Sequence, residues 1–271
     1  MSNIATRAIS GFVFVGVIIG SVLLGAYVCA AMLLSVMAWA MLEFYAIVIK
    51  DRVYTGKIIG LLTGVSLFLS VFLYTQDMVS IRVFLILIPL MVFLFVSQLY
   101  STEKNTFRAV TYTITGILYI ALPFTFCIGL MFPDGEYTAN ILLGFFILLW
   151  ANDTFAYLTG LMFGRRRLFE RISPKKSWEG FFGGLFSTVA ISLLIAQYAQ
   201  IMPFYHWMAV AVVIVIFGVY GDLVESMLKR NLKIKDSGNF IPGHGGILDR
   251  FDAVLIAAPM VFFYLKLFEI V

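Results

Sequence analysis

The stretch from Ala8 to Ile49 carries one charged residue, Glu43, and is otherwise apolar or weakly polar. A bilayer core needs about 20 apolar residues per helix, so this stretch is long enough for two membrane spans. Only 13% of the 271 residues are charged and 62% are hydrophobic, whereas a soluble domain carries about 25% charged residues. The sequence therefore predicts an integral membrane protein. It excludes a disordered chain, a collagen-like fibre and a disulfide-rich scaffold.

The apolar segments are continuous, which predicts helices, because outer-membrane strands alternate apolar and polar residues over about ten positions. We expect an all-α polytopic bundle of about nine transmembrane helices, in one membrane domain. The predicted spans are Ala8–Gly25, Ala26–Ile49, Ile58–Tyr74, Val83–Leu99, Ala109–Phe132, Ala139–Phe163, Trp178–Gln200, Trp207–Leu228 and Phe251–Phe268.

The basic residues predict how the bundle is oriented. With nine spans, 17 of the 19 lysines and arginines fall on the side of the N-terminus, and only Arg82 and Lys266 fall on the other. Lysine and arginine accumulate in cytoplasmic loops. We therefore expect a cytoplasmic N-terminus in the cytoplasmic (inner) membrane. The net charge of +4 reflects this asymmetry and does not indicate a nucleic-acid partner.

Polar residues concentrate in the second half of the chain. We expect residues 1–132 to form scaffold helices and residues 133–271 to form the catalytic region. That region contains two basic cytoplasmic loops, Gly164–Ser177 and Lys229–Arg250. Acids inside membrane spans are costly and usually functional.

Two pairs of acids predict a metal site. Asp222 and Glu225 are three residues apart and share one helix face, and Asp249 and Asp252 have the same spacing. Carboxylates facing each other across a hairpin suit Mg²⁺, which also takes substrate phosphate as a ligand. A second cation stays open. The histidines do not support zinc, because His206 falls on the opposite side of the membrane from His244.

Several other residue types in the second half suit phosphate binding. Lysine and arginine bind phosphate oxygens, and glycines let backbone amides approach an anion closely. Ser177 is placed to cap a helix, with Gly180 three positions on. Gly180, Gly183 and Gly184 permit close helix packing. This chemistry fits phosphoryl or nucleotidyl transfer, and the chain has no Walker-type P-loop.

Asn152 and Asp153 lie about eleven residues from the cytoplasmic end of the sixth span, roughly 16 Å deep. They predict a polar pocket that opens to the cytoplasm. The alternative is an interhelical hydrogen bond from Asn152 and a paired or protonated Asp153. Such a midplane acid would also suit an ion-coupled secondary transporter, although the chain lacks the two related halves expected of one.

The C-terminal motifs resemble those of the phosphatidate cytidylyltransferase (CDP-diacylglycerol synthase) family. They read Ser226-Met-Leu-Lys-Arg230, Lys235-Asp236 and Pro242-Gly-His-Gly-Gly-Ile-Leu-Asp-Arg-Phe-Asp252. Two upstream blocks are also similar to that family, Asn152-Asp-Thr-Phe-Ala-Tyr157 and Ser173-Pro-Lys-Lys-Ser-Trp-Glu-Gly180. The resemblance covers Trp150 to Asp252, and the first four helices carry nothing diagnostic.

The resemblance implies that CTP reacts with phosphatidic acid, a lipid of the bilayer, to give CDP-diacylglycerol and pyrophosphate. It also implies that this reaction depends on Mg²⁺. A homodimer stays open. We expect Asp222 and Asp249 to bind the metal, supported by Asp252 and Glu225. The expected catalytic residues are Lys175, Lys176, Asp222, Lys229, Arg230, His244, Asp249 and Arg250. The expected substrate-binding residues are Asn152, Asp153, Ser173, Ser177, Ser226, Lys235, Asp236, Gly243, Gly245 and Gly246.

Overall fold

A computed structural model describes residues 3–49, 54–100, 106–238 and 245–270, which contain nine helices. A 3₁₀ turn (Ile81–Ile86) precedes the fourth helix, and the fifth helix consists of three consecutive segments, of which the middle one is a π-helical turn. The helices are α1 (Asn3–Leu23), α2 (Ala26–Val48), α3 (Tyr54–Thr75), α4 (Leu87–Leu99), α5 (Thr106–Gly116, Ile117–Ala121 and Leu122–Met131), α6 (Ala139–Phe163), α7 (Trp178–Ala199), α8 (Phe204–Asn231) and α9 (Leu248–Leu267).

The predicted helical membrane fold is confirmed. Seven helices, α2 to α8, are long and apolar enough to cross a membrane, α4 together with its 3₁₀ turn. The apolar part of α1, Ile9–Leu23, is shorter, and α9 carries Asp249, Arg250 and Asp252 in its first turns. The outward faces of the helices expose many large apolar side chains, as a lipid-facing surface requires.

The loop between α6 and α7 contains a small hairpin that the sequence pattern did not predict. Strands β1 (Arg167–Phe169) and β2 (Ser173–Ser177) pair antiparallel. The Glu179 carboxylate accepts hydrogen bonds from the backbone N–H groups of Arg165 (3.0 Å) and Arg166 (3.2 Å). Strands of three and five residues are too short to show a period of two. The hairpin fixes where the lysines of β2 lie.

Helix α8 is longer than the predicted span, which ended at Leu228. It continues to Asn231, so Lys229 and Arg230 are helical instead of lying in a loop. Cations in the last turn of a helix interact favourably with its dipole. Lys229 also pairs with Glu225 one turn earlier. The extra turn keeps Lys229 on the helix face that carries the acids.

Helices α6 and α7 pack very closely, as the glycines predicted. A methyl group at Gly180 would lie 2.7 Å from the carbonyl oxygen of Ala156, and one at Gly184 would lie 2.6 Å from Oδ1 of Asn152. Since real methyl groups do not approach so near, these positions need glycine. The contact holds β2, which precedes α7, against the end of α6.

Helix α9 lies among α2, α5 and α8. Its Phe251 ring is buried and packs against Phe124 of α5, with ring centroids 5.7 Å apart. The start of α9, the end of α8 and strand β2 meet at one end of the bundle, because Lys229 pairs with Asp249 and Lys176 pairs with Asp222.

We expect Gly180→Ala to lower the thermal stability of the protein in detergent. The methyl group would press on backbone atoms of α6, and overpacking of this kind costs about 1–3 kcal/mol. Gly16→Ala is the matched control, because nothing lies within 4 Å of a methyl group there. A melting temperature equal to that of the control would contradict the close packing of α6 and α7.

Candidate active site

Three carboxylates converge where α8 meets α9. Asp222, Glu225 and Asp252 each offer an oxygen, and these oxygens all lie within 4.8 Å of one another. The i,i+3 spacing places the first two on one face of α8. Glycine at position 221 lets Asp252, the third carboxylate, approach α8, because any side chain at that position would collide with the backbone of Asp252. The cluster therefore depends on close contact between the two helix backbones.

Two lysines from different elements pair with these acids. Nζ of Lys176, in β2, lies 2.6 Å from Oδ2 of Asp222. Nζ of Lys229 lies 2.5 Å from Oε2 of Glu225 and 2.7 Å from Oδ1 of Asp249. Lys229 is thus a bridge between α8 and α9. The hairpin and both helices are joined by ion pairs around one acidic centre.

Asp249 occupies a different position from the other three predicted metal ligands. Besides Lys229, its carboxylate accepts hydrogen bonds from the backbone N–H groups of Ser237 (3.0 Å) and Gly246 (2.9 Å). Gly245, whose φ is +83°, would bring a methyl group within 2.8 Å of Oδ2 of Asp249. Asp249 thus organises the surrounding backbone. Its direct role toward a metal stays a prediction.

The three-carboxylate cluster suits a divalent cation. Glu225 is fully buried, and its Oε1 atom has no hydrogen-bond partner among the described residues. A buried carboxylate oxygen without a donor is costly, and a bound cation would satisfy it. Carboxylate oxygens are the ligands that Mg²⁺ prefers. Asp222, Glu225 and Asp252 are therefore the described residues best placed to hold Mg²⁺.

The serines predicted to bind substrate have different surroundings. Ser226 Oγ donates a hydrogen bond to Oδ1 of Asp222 at 3.1 Å. Ser177 is buried, and its Oγ accepts the N–H of Gly180 at 3.1 Å. This confirms the predicted cap of α7. Ser173 is half-buried at the start of β2. Contact of these three serines with substrate stays a prediction.

The remaining predicted basic residues have exposed side chains, and Asp236 is also exposed. These are Lys175, Arg230, Lys235 and Arg250. Gly243 and His244 lie outside the described residues. Gly246 is buried, and its N–H binds Asp249.

Asn152 and Asp153 lie on α6 beside the cluster. Asn152 is buried against Gly184 of α7, and its Oδ1 atom has no hydrogen-bond partner among the described residues. The Asp153 side chain is exposed and interacts electrostatically with Lys176, Asp222 and Arg250. Asp153 is therefore close enough to the acidic centre to interact electrostatically with its charged groups.

Comparison with known proteins identifies the family. The sequence profile of the cytidylyltransferase family matches residues 5–268. The chain belongs to this family. It is 38% identical over 169 residues to the phosphatidate cytidylyltransferase of Bacillus subtilis (strain 168), covering 61% of this chain and 62% of that protein. It is 35% identical over 162 residues to the protein of that name from Staphylococcus aureus (strain COL), covering 59% and 61%. Each match thus spans less than two thirds of the relative.

Two residues of this cytidylyltransferase-family chain were not among the predicted site residues. Tyr119 lies in the π-helical turn of α5 and interacts electrostatically with all three carboxylates of the cluster. Its hydroxyl is buried and has no hydrogen-bond partner among the described residues. Pro123 cannot donate to the Tyr119 carbonyl four residues earlier, so a regular helix is interrupted here, and π-helical turns often mark functional sites. The proline is the signal that could have drawn attention to Tyr119. The second residue is Glu43, which contacts the start of α9.

We expect Lys229→Met to destabilise the protein strongly. The change leaves two largely buried carboxylates without their shared cation, and breaking a buried pair costs about 3–5 kcal/mol. The midpoint of thermal unfolding in detergent measures the effect, with Lys266→Met at the far end of α9 as control. The double variant Lys229→Met with Glu225→Gln should recover part of the loss. A single variant as stable as the control would show that the bridge does not hold α8 and α9 together.

Proposed function

We propose that this protein transfers the cytidylyl group of CTP to phosphatidic acid, giving CDP-diacylglycerol and pyrophosphate. The observation that carries the proposal is the Asp222–Glu225–Asp252 cluster flanked by Lys176 and Lys229, in a chain of the cytidylyltransferase family. The names of the relatives support the lipid substrate. In this proposal, the other basic residues of the second half and Gly243, Gly245 and Gly246 supply further contacts with the phosphates.

The acids and lysines have distinct proposed roles. Asp222, Glu225 and Asp252 hold Mg²⁺, with Asp249 beside them. A divalent cation bound there neutralises charge on the phosphate oxygens. Lys176 pairs with Asp222, and its ammonium group can turn to phosphate oxygens. Lys229 contributes its positive charge from its position between Glu225 and Asp249. Lys175, Arg230 and Arg250 add positive charge around the centre.

The reaction needs no covalent enzyme intermediate. A phosphate oxygen of phosphatidic acid attacks the α-phosphorus of CTP and forms the new P–O bond. The bond from the α-phosphorus to the bridging oxygen breaks, and pyrophosphate leaves with that electron pair. The protein contributes position and charge, which dominate catalysis of phosphoryl and nucleotidyl transfer.

The site is proposed to face the cytoplasm, where soluble CTP can meet the headgroup of a membrane lipid. The end of α6, the start of α7, the end of α8 and the start of α9 lie at the same end of the bundle. This is the end to which the distribution of lysine and arginine assigns the cytoplasm. The orientation proposed for the N-terminus follows from the same distribution.

We expect purified protein to release pyrophosphate only when CTP, Mg²⁺ and phosphatidic acid are all present, with CDP-diacylglycerol as the lipid product. Asp222→Asn, Asp252→Asn and Glu225→Gln should each lower kcat by at least about 100-fold, as expected when charge stabilisation is lost. Asp134→Asn, an exposed acid in the α5–α6 loop, is the matched control and should keep full activity. Removing divalent cations with EDTA should abolish release.

Two outcomes would contradict the proposal. Full activity of Asp222→Asn with normal Mg²⁺ dependence would show that the cluster is not the centre. A protein that binds no CTP and releases no pyrophosphate, but carries ion flux in proteoliposomes, would favour the transporter alternative.

We expect the orientation to show in cysteine labelling of intact cells with a membrane-impermeant maleimide. Asp134→Cys should react in intact cells, and Arg171→Cys in the hairpin should react only after permeabilisation. Both positions are exposed. The native Cys29 and Cys127 are buried, so the unmodified chain is the control. The reverse pattern would place the site on the other side of the membrane.

A further inference from the structure

Glu43 is the one acidic residue in the apolar stretch that begins the chain, and it is buried near the end of α2. A carboxylate at such a position is costly unless the protein satisfies it. Its partners come from the far end of the sequence, 194 and 205 residues away. They belong to the segments on either side of residues 239–244.

The carboxylate of Glu43 serves as a cap for helix α9. Its Oε2 atom accepts the backbone N–H of Leu248, the first residue of α9, at 2.9 Å, and the Oγ–H of Ser237 at 3.4 Å. The first N–H groups of a helix have no acceptor within the helix, and the helix dipole favours a negative charge there. Both effects compensate the buried charge of Glu43.

Two glycines make room for this carboxylate. A methyl group at Gly238 would lie 2.6 Å from Oε1 of Glu43, and one at Gly246 would collide with Oε2 and with Ser237 Oγ. A side chain at either position would therefore displace the Glu43 carboxylate. Glu43 thus holds residues 237–238 and residues 246–248 at the same point.

We propose that Glu43 is a positioning residue for the acidic centre. It fixes residues 237–238 and Gly246, on either side of residues 239–244, and it fixes Leu248, the first residue of α9. The direction of α9 then determines where Asp249 and Asp252 face α8. The expected effect of Glu43 on catalysis and Mg²⁺ dependence rests on the proposed function. Its expected effect on the start of α9 does not.

Hydrogen–deuterium exchange of the full-length protein in detergent tests the structural part. Glu43→Ala and Glu43→Gln are compared with wild type and with Met41→Ala, a buried α2 residue that packs on Gly64 of α3. We expect exchange across residues 245–250 to be about tenfold faster or more in Glu43→Ala, as the loss of a buried hydrogen bond implies. Met41→Ala should leave that exchange unchanged. Wild-type exchange in Glu43→Ala would overturn the inference. If that variant does not fold, Glu43→Leu, which fills the space but accepts no hydrogen bond from Leu248, decides by the same criterion.

Kinetics test the positioning role. We expect Glu43→Ala to raise the Mg²⁺ concentration for half-maximal activity by about tenfold or more and to lower kcat. Glu43→Gln should recover part of both, because its amide oxygen can still accept the Leu248 N–H. Met41→Ala should lose thermal stability without a change in Mg²⁺ dependence. If Glu43→Ala behaves like Met41→Ala in both respects, its role is only structural and the inference fails. If wild type makes no CDP-diacylglycerol, the proposed function fails, and exchange alone decides the role of Glu43.

Discussion

The arrangement of the acidic centre depends on the Lys229 ammonium group between Glu225 and Asp249. In a low-dielectric surrounding an unpaired charge is expensive, and removing one member leaves the others uncompensated. The three groups therefore hold one another in place, and they join the last turns of α8 to the first turn of α9. Because Asp249 also binds two backbone N–H groups, the same interaction fixes the chain that leads into α9. The position of Asp252 follows from that of the helix that carries it.

The sequence predicted those features that depend on local geometry. Apolar runs of about 20 residues predicted the helices, and the i,i+3 spacing predicted that Asp222 and Glu225 share a face. The rotation of α9 relative to α8 could not be predicted, since it depends on Gly221 packing against the Asp252 backbone and on the Lys229 bridge. For this reason the sequence could not show which oxygens of the four acids lie together.

Two residues, Glu43 and Tyr119, were not predicted as part of the site because their partners are distant in the sequence. Glu43 and Tyr119 lie in apolar helices of the first half. The sequence marks Glu43 as a lone charge but does not identify its partners, and no motif marks Tyr119. The hydrogen-bond donors to Glu43 lie more than 190 residues away in the sequence, and Tyr119, in a π-helical turn, interacts electrostatically with the acids. Both halves of the chain therefore contribute to the centre. In the role proposed for Glu43, α2 does more than shield the centre from lipid, because it positions the start of α9.

The charge balance of the centre bears on the need for a cation. In their ionised forms, Asp222, Glu225, Asp249 and Asp252 carry four negative charges, and the ion pairs described for them involve two lysines, Lys176 and Lys229. A triphosphate and a lipid phosphate would bring still more negative charge to the same place. Like charges at such distances repel strongly in a medium of low dielectric constant. While the lysines remain paired with acids, they cannot also neutralise the substrates. In the proposed mechanism, a divalent cation among the carboxylates would free Lys176, which pairs with Asp222 alone, for phosphate oxygens, while Lys229 keeps α8 and α9 together.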